Sequence, residues 1–149
     1  MVILLREKRD TPKEKRFKMT TEKTWKDMDA FTQQYVETAM WSSTDSSRDD
    51  GGDPIDQNYG PEDLAPETVE TMIKHCDEFR ANNAELLEKA EELGRTETDC
   101  AHDFWLTRNG HGVGFWDRGL GEVGDKLTKA CEYTEVYLDV GDDGKLYIS

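Results

Sequence analysis

The chemistry-bearing residues of this chain crowd into one stretch, His102 to Gly119, which reads HDFWLTRNGHGVGFWDRG. It holds two residues each of tryptophan, phenylalanine, histidine, arginine and aspartate around a run of glycines. A core is built from aliphatic volume. This mixture instead supplies stacking faces, titratable rings, guanidinium forks and a backbone able to approach a ligand closely. A functional site is therefore expected here. His102, His111, Asp103 and Asp117 offer imidazole and carboxylate, the groups that suit a divalent metal or acid–base work, and Cys100 adds a soft ligand two residues before His102. The spacing speaks against a metal: HExxH, CxxC and HxH are all absent, and His102 and Asp103 are neighbours that point to different sides of a helix. No metal and no cofactor is expected. Nucleophilic catalysis has less support still, since there is no GxSxG and both Cys100 and Cys131 fall on apolar stripes.

Binding without chemistry fits these residues better. Arg108 and Arg118 can fork onto phosphate or carboxylate, while Trp105, Phe115 and Trp116 can stack a base or cover a partner's side chain. With His102, His111 and Asp117 they form the expected ligand set. Arg118, beside Trp116 and between glycines, is expected to meet the ligand, and Arg108, on a helix with Phe104, to be at least partly structural. The competing reading is a buried polar network in which Asp117 caps a helix and the arginines pair with acids.

The elements that must position these groups follow from periodicity and punctuation. Trp25, Met28, Phe31, Tyr35 and Ala39 recur at three and four residues, which predicts a core helix of about twenty residues capped by Thr20 or Thr21. Residues 42–62 are polar, acidic and broken by Gly and Pro, and read as a long loop. Asp49, Asp50, Asp53 and Asp56 in it have no EF-hand register. A second helix starts near Pro66 and carries Val69, Met72, Ile73, Cys76 and Phe79, continued by Leu86, Leu87, Ala90 and Leu93 up to Gly94. Asn82 and Asn83 interrupt it, leaving either one helix with a polar notch or two helices meeting there. Thr96 and Asp99 make a capping box for a third helix that ends at Asn109 and Gly110. Leu120, Val123, Leu127, Ala130 and Cys131 read as a further helix capped by Asp117, so Gly119, Gly121 and Gly124 form only a weak GxGxxG match, and the latter two suit close helix packing better. Val136 to Val140, a Gly141–Gly144 turn and Lys145 to Ile148 predict a β-hairpin, joined on its sheet by a strand from Gly112 to Trp116 or from the N-terminus. The expected class is α+β, helix-dominated, with a small antiparallel sheet.

Charge bounds the partners. The chain of 149 residues fits one domain and carries a net charge of −14. Residues 1–18 hold seven Lys/Arg against Glu7, Asp10 and Glu14, so this arm is +4 and the rest −18. The expected division is a basic arm over 1–18, either a disordered tail, the favoured reading, or an extension upstream of a natural start at Met19, and one acidic globular domain over 19–149. The acidic body disfavours direct nucleic-acid binding. The aliphatic run Val2 to Leu5 is too short for a signal or a membrane span, so a cytoplasmic protein without membrane contact is expected. Three widely separated cysteines fit reduced, buried thiols. Oligomeric state is not set by the sequence.

The phrases FTQQYVETAMW (31–41), LAPET (64–68), HDFWLTRNGHGVGFWDRGLGEVGDKLT (102–128) and VGDDGKLY (140–147) together resemble a group of small proteins encoded by tailed bacteriophages and prophages. The resemblance spans nearly all of residues 28–147. It implies a phage origin, and through it action in the host bacterial cytoplasm, but brings no activity and no catalytic residues. The expected function is that of a phage accessory protein that binds without catalysis, inhibiting or sequestering a host protein, such as a defence protein, or a small nucleotide messenger. One alternative is a small hydrolase or lyase acting on a phosphorylated ligand through the segment from His102 to Arg118. A second is an acidic DNA mimic, for which the row Glu85, Glu88 and Glu92 is the natural surface.

Overall fold

A computed structural model of the chain describes residues 23–47, 52–110 and 114–149. Thr20, Thr21, Asp49, Asp50, His111, Gly112 and the arm of residues 1–18 lie outside the described residues. Five α-helices are described, α1 (Ala30–Ser42), α2 (Pro66–Asn82), α3 (Ala84–Glu92), α4 (Glu97–Arg108) and α5 (Glu122–Ala130), followed by β1 (Leu138–Val140) and β2 (Leu146–Ile148). The class is α+β. The strands pair antiparallel with Leu138 opposite Ile148 and Val140 opposite Leu146.

The first helix is shorter than its apolar spacing predicts. Trp25 belongs to a separate 3-10 turn, Trp25–Asp27, closed by a capping box between Thr24 and Asp27, and Met28 is extended. Asp29 then starts α1, accepting from the Thr32 amide at 3.0 Å. The same carboxylate accepts from Arg80 of α2 at 2.7 Å, so a tertiary partner helps to choose among competing caps. The second helical pattern divides at Asn83, whose side chain donates to the Phe79 carbonyl at 2.9 Å and ends α2. Thr96 and Asp99 form the expected capping box of α4.

Asp117 does not cap α5. It lies in a 3-10 turn, Phe115–Asp117, and the N-cap is Gly121 at φ +60°. Phe115 and Trp116 are therefore not part of a strand. Gly124 explains the crowding of glycines here: a Cβ at this position would stand 2.8 Å from the Phe115 carbonyl oxygen, so α5 can lie against the turn only without a side chain. Gly121 has open space instead and is needed for its backbone angle.

One continuous cluster of buried side chains joins the helices. At its centre α4 packs along α1. Phe104 stacks between Phe79, at 3.9 Å between centroids, and Tyr35, at 5.1 Å, while Trp105 meets Tyr35 edge-on at 5.2 Å. The hairpin is held onto this core by the buried side chains of Leu138 and Leu146 and by one carbonyl: Leu146 O accepts from the Ala65 amide at 3.0 Å and the Thr68 hydroxyl at 2.9 Å, at the entrance of α2. A three-residue pair of strands needs such docking to persist in water.

Candidate functional site

Helix α4 carries His102, Asp103, Trp105 and Arg108, and its 3.6-residue period sends them to different neighbours. His102 turns towards α1. Its Nδ1 lies within hydrogen-bond distance, 2.8 Å, of the Thr38 hydroxyl, which also accepts from the Gln34 amide at 3.1 Å. Burial, followed by the charges of Arg118 and Arg95 against that of Asp103, holds the His102 pKa below the ordinary imidazole value and keeps the ring neutral. The exposed Trp41 ring lies 6.0 Å away.

Asp103, next along the chain, points into the protein and is fully buried. Arg95 reaches both of its oxygens, with Nη2 at 2.9 and 2.8 Å and Nε at 3.1 Å. Arg118 adds Nε and Nη2, each at 3.0 Å from Oδ1. Two forks thus close on one carboxylate and tie the turns before and after α4 to the helix. Arg118, expected to meet a ligand, is therefore engaged with a buried acid. Trp105 is also occupied: it is buried and donates through Nε1 to Ser42 at 2.9 Å. Trp116 and Asp117 are exposed on the 3-10 turn. His111 is not described.

Arg108 is the last residue of α4 and is only 9% exposed. Its Nε donates to the Thr134 carbonyl at 2.7 Å, and its Nη1 to the Tyr35 hydroxyl at 2.9 Å and to His75 Nδ1 at 3.3 Å. The guanidinium also lies 5.0 Å above the Phe104 ring. These partners are neutral. Burial, then the Arg108 charge, depresses the His75 pKa, which agrees with an acceptor role for Nδ1. Arg108 and His75 line a cavity of about 250 Å³ that opens between α2 and the segment after α5.

The structure divides the sequence-derived set: His102 belongs to the α1 surface, Arg118 to the Asp103 clamp, Trp105 to the core and Arg108 to a pocket with His75. Tyr35, His75, Arg95 and Thr134 complete these sites, and sequence reasoning does not single them out for it. Tyr35 and His75 fall within helical patterns that read as packing, and Arg95 and Thr134 sit in turns far from their partners in the chain. The thiols are unsuited to nucleophilic work, because burial raises Cys76, Cys100 and Cys131 each to about 12. Among the described residues no three His, Cys, Asp or Glu side chains converge as a metal site, and no helix is long and apolar enough to cross a membrane. No family model, curated protein or solved structure matches the chain.

Proposed function

We propose that this is a phage accessory protein that acts by binding, without catalysis, and inhibits or sequesters a host protein or a small nucleotide messenger. The observation that carries the reading is the use made of the reactive groups. His102 is held by Thr38, the thiols are buried, and Asp103 is shared by two arginines, so none of these stands free as a base or nucleophile beside another. What remains open is suited to contact: the exposed rings of Trp41 and Trp116, and a groove of about 510 Å³ along α1 whose lining includes Trp25, Met28, Met40 and Tyr59. Incubation with a nucleotide panel followed by mass spectrometry tests this. Unchanged ligand released on denaturation is expected, and formation of product would replace the reading with the hydrolase or lyase alternative.

The DNA-mimic reading has one supporting observation. Glu85, Glu88 and Glu92 are exposed along α3, and none forms an ion pair among the described residues. Reversal of all three to lysine is expected to leave partner binding largely intact; its loss with an unchanged melt would favour mimicry.

A further inference from the structure

We propose that the pocket at the C-terminal end of α4 is an oxyanion-binding site, in which the free edge of the Arg108 guanidinium holds a phosphate or carboxylate group. This deepens the ligand-binding reading above, on which it rests, by naming the anchor and its chemistry.

A buried cation is normally accompanied by an acid, because neutral dipoles replace the lost hydration without neutralising the charge. The buried anion on the same helix, Asp103, obeys the converse and is met by two guanidinium groups. Arg108 does not: among the described residues no Asp or Glu oxygen lies within 4.0 Å of its guanidinium. Its bonds use Nε and Nη1, and Nη2 is left with no acceptor among the described residues. The guanidinium is not free to turn. Tyr35, Thr134 and the Phe104 face fix its plane, so the unused N–H groups are already oriented in a pocket wall. A second donor is present beside it. His75 accepts from Arg108 through Nδ1, so its ring proton resides on Nε2, and the Asn82 amide also lines the cavity.

The volume of about 250 Å³ is below the usual ~300–1,000 Å³ of a pocket that encloses a whole drug-sized ligand. It suits the anionic end of a ligand whose remainder lies outside. Glu78 also lines the pocket and is exposed. Its charge opposes an anion and sets a limit on affinity, which supplies a test that unfolding cannot imitate.

The test uses the full chain, with inorganic phosphate and acetate as separate probes, followed by titration calorimetry and phosphorus NMR. Saturable binding of at least one probe is expected; phosphate alone identifies a phosphoryl ligand, and acetate alone a carboxylate. Arg108→Met is expected to abolish saturation, and Arg108→Lys, which keeps the charge but loses the fork, to weaken it at least tenfold. Glu78→Gln is expected to tighten it roughly threefold, the weight of one solvent-screened charge nearby. Lys145→Ala, at an exposed turn, is expected to change nothing. Neither probe saturating in the wild-type chain, or binding that survives Arg108→Met, overturns the site. If Arg108→Met does not fold, Glu78→Gln decides, and unchanged affinity there overturns it. The two readings fail separately. Phosphate binding without any ligand or partner recovered from host lysate keeps the site and removes sequestration. A host ligand retained by a folded Arg108→Met chain does the reverse.

Discussion

The middle and the end of α4 treat buried charge in opposite ways. At the middle, Asp103 is fully buried and receives the forks of Arg95 and Arg118, which remain about one-fifth exposed. At its last residue, Arg108 is buried among a phenol, a carbonyl and a neutral imidazole, with no acid within 4.0 Å among the described residues. The first arrangement is complete without any other molecule and joins three segments of chain, so it serves the fold. The second leaves a cation without an acid among the described residues and with one nitrogen open to an accessible pocket. The contrast teaches that an arginine's burial says little about its role until its partners are known, since both positions place guanidinium groups within the structure and only one closes the electrostatic circuit.

The sharpest way to break the comparison is Asp103→Asn. It leaves two guanidinium groups facing a neutral amide, and is expected to cost about 3 kcal/mol, read by urea unfolding. An unchanged midpoint would remove the clamp as a structural element. Gly124→Ala comes next. It forces α5 away from the Phe115 carbonyl and so disturbs the turn that delivers Arg118, at an expected cost of about 2 kcal/mol. Arg118→Ala leaves Asp103 with Arg95 alone and is expected to cost about 1–2 kcal/mol. A double-mutant cycle with Asp103→Asn should show strong coupling; additive effects would mean that the two groups act independently.

Arg108→Met should be gentler still, under about 1.5 kcal/mol. It loses hydrogen bonds to Tyr35 and Thr134 but also relieves the burial of an unaccompanied charge. If this variant fails to fold while Arg118→Ala melts like the wild-type chain, the roles of the two positions are exchanged. The smallest expected effect is that of pH. His75 and His102 both have folded pKa values below the ordinary value of about 6.5, so the unfolded chain binds more protons in that range. Stability therefore falls as pH drops below about 6.5, and is retained above it. Melts at pH 7.5 and 5.5 should show this slope, reduced in His102→Gln beside the clamp and in His75→Gln beside Arg108; a slope of opposite sign would contradict the neutral rings placed at both positions.

Much of the local structure is legible in the residues themselves. The Thr96–Asp99 box, Pro66 at the head of α2, the stop at Asn109–Gly110 and the turn from Gly141 to Gly144 act through backbone groups a few positions away, so sequence distance and spatial distance coincide. Elements whose boundaries depend on remote partners are less legible. Asp29 begins α1 with Arg80 on its carboxylate, and Gly121 takes the cap expected of Asp117 because the chain first folds into a 3-10 turn around Phe115. The candidate site follows the same division. Residue types alone marked the stretch from His102 to Gly119 as the concentration of chemistry, because such a mixture is poor core material. Tertiary structure alone separated Arg118 from Arg108, since the first meets Asp103 fifteen residues back and the second meets Tyr35 seventy-three residues back. Charge pairing is decided by which side chains share a low-dielectric space, and that depends on how the helices pack rather than on the order of residues along the chain.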